Sequence, residues 1–389
     1  MLSSWSRPIS MSCGSRITHS SRSADFQPLR RSAPILACAD WPALVAAVAK
    51  DPAYKALAEA RAKLKAGEIP AENFAEIRDK CIRDVVAKQE SVGLTGITDG
   101  EFSRDWWHID FLERLDGVKA VLEKPLIGFQ GSDEQPPILH VTGKVARSKP
   151  IFTEYFKFLK SVVKKTPKIT IPAPAMLYHR GGRAKVSMDV YPELDAMWAD
   201  VSAAYAKEIA DYAAAGCKYL QIDDVSFAYL CDPKYRETFV KNGDDPEKLL
   251  RTYTGAINRA IANRPADMAV TTHTCRGNFK NTWAASGGYE PVAELLLNEL
   301  NVDGYFMEFD SERSGGFEPP SQRDFALFLR LSGGRALLSR SRRCAASGTS
   351  RRRALRDPGS RRRTPRARTP APSAGACSRR RCARRCRTG

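Results

Sequence analysis

The chain has 389 residues, of which 43% are apolar and 27% are charged. This length allows two or three ordinary domains or one large α/β barrel, and the lack of an apolar run of about 18 residues argues against a membrane-spanning helix. The net charge of +18 would suit a nucleic-acid-binding protein, but residues 331–389 alone hold 19 Arg and one acid, Asp357. Residues 1–330 carry 43 basic and 43 acidic side chains, so the body of the chain is neutral.

The N-terminal segment differs in composition from the body. Residues 1–40 contain ten Ser and five Arg against two Asp and no Glu. This bias is typical of a mitochondrial or plastid transit peptide, although no amphipathic helix accompanies it. A misplaced start would give the same composition. We predict that residues 1–50 form a structureless segment.

Helical and strand patterns alternate from residue 50 to residue 310. In chain order we predict helices at 54–66 and 70–92, a strand at 96–101, a strand at 137–147, a helix at 151–164, a strand at 168–176, a helix at 192–215, a strand at 219–223, a helix at 246–262, a strand at 268–275, a helix at 290–300 and a strand at 304–309. Such alternation indicates parallel βα units. Because no Gly-x-Gly-x-x-Gly turn follows a strand, a (β/α)8 barrel is favoured over a doubly wound sheet.

The cysteines argue against a disulfide framework. The body contains Cys81, Cys217, Cys231 and Cys275, which are widely spaced and follow no secretory segment. Cys81 continues the apolar stripe of the second predicted helix, so we predict that it is a core residue. We predict a cytoplasmic protein.

The sharpest chemical feature is the pair His273 and Cys275. Residues i and i+2 of a strand project to the same face, and both side chains are natural Zn²⁺ ligands. A hydrogen-bonded His beside a packed Cys is the alternative. Glu308, Asp223 and Glu101 lie at the ends of other predicted strands, and in a barrel these ends converge on one pocket. Without further context the acids could equally be solvated strand-end carboxylates.

Several segments of the body resemble one known family, that of cobalamin-independent methionine synthase, and most closely its short bacterial single-barrel members. The matching segments are Ile97-Thr-Asp-Gly-Glu-Phe102, Trp106-Trp-His-Ile-Asp-Phe111, Gln221-Ile-Asp-Asp224, Thr272-His-Thr-Cys-Arg-Gly-Asn278, Gly287-Gly-Tyr-Glu-Pro291, Asp303-Gly-Tyr-Phe-Met-Glu308 and Glu312-Arg-Ser-Gly-Gly-Phe-Glu-Pro319. They follow the family's order and spacing over about two thirds of the chain.

The resemblance implies a (β/α)8 barrel and zinc-assisted methyl transfer from a methylated, polyglutamylated tetrahydrofolate to homocysteine. It implies that His273, Cys275 and Glu308 are zinc ligands. It implies also that Glu101 and Asp223 hold the ammonium group of the amino-acid substrate. The implied partners are therefore small molecules, namely a homocysteine-like thiol and a methyl-folate.

The chain departs from the family at both ends. The family's fourth zinc ligand is a Cys in a Pro-x-Cys-Gly context on the last strand, and its catalytic His lies on the strand before. We find neither, nor the Gly-Ser motif of the first strand. Only strands two to six are recognisable, so the barrel is predicted to be incomplete. The alternatives are a zinc-dependent thiol alkyltransferase with another electrophile, such as an epoxide, and a degenerate barrel without catalysis.

The C-terminal segment uses only nine residue types and has four Leu as its large apolar residues. It cannot bury enough apolar surface to offset its ordering entropy. We therefore divide the chain into a segment at 1–50, a methionine-synthase-like barrel at 51–330 and a disordered tail at 331–389. Out-of-frame reading of GC-rich codons would produce such a tail. The other interpretation is an Arg-rich arm, which would bind nucleic acid only non-specifically.

Limited proteolysis tests this division of the chain. We expect a protease to trim both ends and to leave a resistant core close to residues 55–320, because only the body has the apolar pattern of a folded domain. Mass spectrometry of the fragments gives the boundaries. A tail that resists cleavage as well as the body does would contradict the division.

Overall fold

The structure, a computed structural model, describes the following parts of the chain: residues 52–126, 128–129, 135–279, 282–308, 312–315, 325–326, 329–331, 334–335 and 338–340. The predicted N-terminal segment and the tail beyond residue 340 lie outside the described residues. Cys81, Cys217 and Cys231 are buried free thiols, and Cys275 is a partly exposed one. The prediction that Cys81 belongs to the core is confirmed.

Parallel strands form the centre of the fold. In chain order they are β1 (Gly96–Ile97), β4 (Thr166–Pro167), β5 (Ile169–Pro172), β6 (Tyr219–Asp223), β7 (Ala269–Thr274) and β10 (Gly304–Glu308). Strands β5, β6, β7 and β10 lie side by side in this order, and β1 pairs with β4 just before β5. All these pairs are parallel, so the carboxyl ends of the strands meet at one edge. The path of the described strands is open, and closure into a barrel stays a prediction.

Helices connect the parallel strands, as the alternating pattern predicted. The helices are α1 (Pro52–Lys65), α2 (Ala71–Ser91), α3 (Ile109–Leu112), α4 (Thr153–Val162), α5 (Leu194–Ala214), α6 (Ser226–Cys231), α7 (Pro233–Lys241), α8 (Pro246–Ile261) and α9 (Ala293–Asn298). The start of α8 shows how sequence sets a boundary. The Asp245 side chain accepts hydrogen bonds from the backbone N–H groups of Glu247 and Lys248, and Pro246 occupies the first turn.

Two antiparallel hairpins lie outside the parallel sheet. Strand β2 (Asp116–Val121) pairs with β3 (Ile138–Ala146), and β8 (Asn278–Phe279) pairs with β9 (Thr282–Trp283). The first hairpin contains the arm predicted at 137–147. The second hairpin and helices α6 and α7 were not predicted. Five of the six residues of α6 are apolar or aromatic and all six are buried, so this helix has no polar face from which a period could be recognised.

Short strands cover the edge of the sheet beyond β10. They are β11 (Phe325–Ala326), β12 (Leu329–Leu331), β13 (Gly334–Arg335) and β14 (Leu338–Arg340). Strand β12 pairs with β10 in parallel and β14 pairs with it antiparallel. Leu331 and the residues of β13 and β14 therefore lie in short strands within the predicted tail, and the disorder of the tail stays a prediction.

The apolar core has two parts. The larger part fills the space between the sheet, the β2–β3 hairpin and helices α5 and α8, which pack against each other. The smaller part joins α1, α2, β1 and α4, and it includes Phe74, Cys81 and Ile97. The smaller cluster fixes the start of β1, and thereby the turn that follows this strand.

A buried carboxylate ties helix α5 to the start of α4. The side chain of Glu208 is fully buried and accepts hydrogen bonds from the backbone N–H groups of Ile151, at 2.9 Å, and Phe152, at 2.8 Å. Its second partner is the guanidinium of Arg147, at 2.6 Å. A buried charge with several donors is stabilising only while all of them are kept.

We expect the substitution Glu208→Gln to lower the free energy of unfolding by about 3 kcal/mol, because the amide would turn an N–H₂ group toward donors and leave Arg147 less well paired. Chemical denaturation measures the change. Glu237→Gln is the matched control, since Glu237 and Lys241 form an exposed pair whose loss changes stability by less than about 1 kcal/mol. Equal effects of both substitutions would contradict the role of Glu208.

Candidate functional site

The turn after β1 places Glu101 at the carboxyl edge of the sheet. The strand predicted at 96–101 ends at Ile97, and the correction has a local cause. The Asp99 side chain accepts a hydrogen bond from the backbone N–H of Glu101, at 2.9 Å, and Gly100 adopts a positive φ of 68°. Glu101 itself has a φ of 62°, the one positive value among the described non-glycine residues. Such a conformation persists only where surrounding contacts hold it, and it is common at functional sites.

The carboxylate of Glu101 reaches the neighbouring strand. Its Oε1 atom accepts a hydrogen bond from the hydroxyl of Thr170 on β5, at 3.1 Å, and lies 3.6 Å from Nη1 of Arg104. Burial raises the pKa of Glu101, the charge of Arg104 lowers it, and repulsion from Asp223 raises it again, with a net upward shift. The negative charge of Asp223 therefore lies close enough to Glu101 to affect its pKa.

Asp223 ends β6 and contacts His273 on β7. The two residues are directly opposite each other in the parallel pairing, and His273 Nδ1 lies 3.2 Å from Asp223 Oδ1. Because a carboxylate can only accept, the proton of this contact belongs to Nδ1 of the imidazole. In the neutral form of the ring, Nε2 of His273 is then the nitrogen with a lone pair.

Two buried side chains, Lys168 and Gln221, support Asp223 through consecutive hydrogen bonds. Lys168 Nζ donates to Gln221 Oε1 at 2.5 Å, and Gln221 Nε2 donates to Asp223 Oδ1 at 2.5 Å. Burial acts to raise the pKa of Asp223, but the hydrogen bonds from His273 and Gln221 and the charge of Lys168 lower it overall. Asp223 is thus kept ionised, the state that attracts an ammonium group.

The next residue, Asp224, has the opposite electrostatic environment. It is fully buried, and its Oδ1 atom accepts hydrogen bonds from the backbone N–H and the hydroxyl of Ser226, each at 2.6 Å. Burial raises its pKa to about 6 in spite of these bonds. Asp224 therefore anchors the start of α6, whereas Asp223 faces the edge of the sheet.

The three predicted zinc ligands differ in the contacts that their side chains make. Glu308 ends β10, next to the end of β7, but both of its carboxylate oxygens are engaged. Its Oε1 atom lies 2.6 Å from Nη2 of Arg313, and Oε2 accepts a hydrogen bond from the backbone N–H of Arg276 at 3.0 Å. The sulfur of Cys275 accepts a contact from the backbone N–H of Gly277 at 3.4 Å.

The donor types of the predicted zinc site are suitable, because imidazole, thiolate and carboxylate all bind Zn²⁺. The geometry is not: within the described ranges, no three His, Cys, Asp or Glu side chains are grouped so that they could hold a metal ion. The residues as arranged here do not form a site for zinc. The assignment of His273, Cys275 and Glu308 to zinc stays a prediction.

Four cationic side chains at the site were not predicted from the sequence to be functional. Arg104 and Lys168 contact the supports of Glu101 and Asp223, and Arg313 pairs with Glu308. The fourth, Arg276, is fully buried and donates to the backbone carbonyls of Gly287, at 2.6 Å, and Ser314, at 3.2 Å. Arg276 and Arg313 lie inside two of the segments that resemble the family, and this position was the one sequence signal that pointed to them.

These observations define a parallel α/β protein with acidic, imidazole and thiol side chains at the carboxyl edge of its sheet. None of the described helices is long and apolar enough to cross a membrane. The family model described as the catalytic domain of cobalamin-independent synthase matches residues 46–286. The chain belongs to the cobalamin-independent methionine synthase family.

Individual relatives agree with this membership. The uncharacterized protein YxjH of Bacillus subtilis is 44% identical over 67% of this chain and 69% of its own length. A solved structure from Listeria monocytogenes, assigned as a vitamin-B12-independent methionine synthase, is 41% identical, has a TM-score of 0.52 and is matched over 66% of this chain and 69% of that one. The 5-methyltetrahydropteroyltriglutamate–homocysteine methyltransferase of Mycolicibacterium paratuberculosis is 27% identical over 65% of this chain but only 33% of its own length.

The raised pKa of Asp224 predicts a pH dependence of stability. Because its pKa is about 6 in the folded chain and 3.8 ordinarily, the folded state binds this proton more tightly than the unfolded state does. The contribution of Asp224 to stability is therefore present at low pH and is lost as the pH rises from about 4 to 6. A shift of about two pKa units corresponds to a change of about 3 kcal/mol in the free energy of unfolding.

Denaturation of the wild type and of Asp224→Asn between pH 4 and pH 7 measures this loss. We expect the wild type to lose stability relative to the variant as the pH rises. Asp195→Asn, which removes an exposed carboxyl group, is the matched control and should follow the wild type. Parallel curves for the wild type and Asp224→Asn would contradict the assigned pKa.

Proposed function

We propose that the chain transfers a methyl group from a 5-methyltetrahydrofolate polyglutamate to homocysteine and forms methionine. Family membership supports the class of reaction. The observation that carries the proposal is that two carboxylates lie on either side of β5: Glu101 accepts a hydrogen bond from Thr170 of β5, and Asp223 is paired with Pro172 at the end of the same strand. We propose that this edge is the mouth of the family's eight-stranded barrel.

In this proposal the two carboxylates bind the acceptor amino acid. An ammonium group between Glu101 and Asp223 would relieve their repulsion and form charge-assisted hydrogen bonds with both. The thiol end of homocysteine would then point along the edge toward His273 and Cys275. Holding the acceptor in one orientation converts an encounter of two substrates into a positioned reaction, which is a large part of the rate that such sites provide.

The reaction forms a sulfur–carbon bond and breaks the bond between the methyl carbon and N5 of the folate. The acceptor thiol loses its proton, and the departing folate nitrogen gains one. Zinc, which the family resemblance implies, would promote the loss of the thiol proton. We assign no step to zinc here, because Glu308 is engaged by Arg313 and the backbone of Arg276. No residue is assigned as the proton donor to the folate.

We propose that turnover by this chain is low. The Pro-x-Cys-Gly strand and the catalytic His of the family have no counterpart in its sequence. The loss of general acid catalysis alone lowers a rate by roughly 10²–10⁴-fold. The same reasoning predicts weak zinc binding, because one thiolate donor is missing and another donor is held elsewhere.

The decisive assay measures bound zinc and methionine formation from L-homocysteine and 5-methyltetrahydrofolate triglutamate. We expect this chain to bind less than one zinc and to turn over at least about 100-fold more slowly than a version with a family-like C-terminal strand. Cys275→Ser should abolish the remaining activity. Cys81→Ala, which removes a thiol from the smaller apolar cluster, should retain it.

Two results would contradict the proposal. Full zinc occupancy and rapid turnover by the chain as it stands would show that the tail supplies what we consider missing. Methionine formation that is absent from both versions, or unchanged by Cys275→Ser, would remove the proposed reaction. Product formed from a thiol without an ammonium group, with an epoxide as the alkyl donor, would favour the thiol alkyltransferase alternative instead.

A further inference from the structure

Arg104 is a buried cation beside the proposed ammonium site. Its side chain is 2% exposed and lies 4.8 Å above the ring of Phe152. Nη2 donates to the backbone carbonyl of Thr170 at 2.9 Å and to the Thr170 hydroxyl at 2.8 Å, and Nη1 donates to the carbonyl of Trp107 at 3.2 Å. These contacts fix the guanidinium plane between the turn after β1 and strand β5.

The hydrogen bonds around the Thr170 hydroxyl can run in only one direction. A guanidinium has donors and no acceptor, so the contact from Arg104 must use a lone pair of the hydroxyl oxygen. The single hydroxyl proton of Thr170 is then directed to Oε1 of Glu101, 3.1 Å away. Arg104 thus acts on Glu101 twice, directly at 3.6 Å and through Thr170.

Glu101 depends on such support. Its backbone has the strained positive φ described above, and its side chain is 36% exposed. A partly exposed carboxylate on a side chain with three rotatable bonds would otherwise sample several orientations and lose entropy on binding. Because Thr170 and Arg104 both contact Oε1, that oxygen is held against β5, and we expect Oε2 to be the oxygen that meets the ligand.

We propose that Arg104 is a positioning residue that acts with Thr170 to preset the carboxylate of Glu101 for the ammonium group of the acceptor. The inference rests on the proposed function, because it takes the acceptor to be an amino acid. It adds a specificity element: the preset carboxylate favours thiols that carry an ammonium group over thiols of the same length that lack one. A purely structural role for Arg104 predicts that its replacement weakens the binding of both kinds of thiol equally.

Isothermal titration of the full chain with two acceptors tests the proposal. The acceptors are L-homocysteine and 4-sulfanylbutanoate, which differ only in the amino group. We expect Thr170→Val and Arg104→Lys each to weaken homocysteine binding by roughly 10-fold, in line with the loss of hydrogen bonds to a charged group. Binding of 4-sulfanylbutanoate should change by less than about 2-fold, and Thr170→Ser, which keeps the hydroxyl, should restore homocysteine binding.

A double-mutant cycle with Glu101→Gln separates positioning from general damage. If Arg104 and Thr170 act through Glu101, Thr170→Val should weaken homocysteine binding by less than about 2-fold once Glu101 has been replaced. Equal losses for both acceptors, or full additivity in the cycle, would overturn the proposal. The two Thr170 variants keep the test valid even where Arg104→Lys does not fold.

The outcome is distinguishable from failure of the proposed function. Selective homocysteine binding that depends on Thr170, without any methionine formation, would support the positioning role and remove the reaction. A wild-type chain that binds both acceptors equally well, with no effect of Glu101→Gln, would overturn both proposals, since Glu101 would then not contact an ammonium group.

Discussion

The structure of the site depends on one constraint: a carboxylate that leaves water must find partners, or it loses its charge. Glu101, Asp223, Asp224 and Glu308 lie at the carboxyl edge of the parallel sheet, and each of these acids has different partners. Their partners are Thr170 and Arg104 for Glu101, His273 and Gln221 for Asp223, Ser226 for Asp224, and Arg313 and the Arg276 backbone for Glu308. In the proposed function the first two acids bind a ligand, whereas the contacts of the last two hold the fold together.

The contacts of Glu308 show how this edge is stabilised. Glu308, with Arg276 and Arg313, connects the ends of β7 and β10 to the segment at 312–315. Because both oxygens of Glu308 take part, a metal ion bound there would share the carboxylate with Arg313 and the backbone of Arg276. Asp223 and His273, by contrast, leave an imidazole nitrogen for a ligand. The stabilising contacts at one end of the edge therefore oppose the assembly of a metal site there.

Much of the fold could be predicted from local sequence. The helix at 246–261 and the strand at 219–223 have clear apolar periods, and Asp245 and Pro246 mark a helix start. The turn at Asp99–Glu101 was predicted as part of a strand, although Asp-Gly is a common turn dipeptide and the Asp99 side chain accepts the hydrogen bond that forms the turn.

The site could be predicted only in part. Its acids were predicted because they lie at the ends of predicted strands. The partners of these acids could not be predicted, because the contacts between acid and partner join distant parts of the chain. Arg104 and Thr170 are 66 residues apart, and Lys168 and Gln221 are 53 residues apart. No periodicity within one element signals such a pair. The family resemblance implied that Glu308 is a zinc ligand, whereas its pairing with Arg313 follows from the three-dimensional structure alone.

A crystal structure of the chain with bound L-homocysteine tests the central claim, that Glu101 and Asp223 form one site for an amino acid. The account predicts that the ammonium nitrogen lies within about 3 Å of a carboxylate oxygen of each residue. It also predicts that Glu101 Oε1 keeps its contact with Thr170. A ligand bound elsewhere, or one whose ammonium group contacts neither carboxylate, would contradict the account.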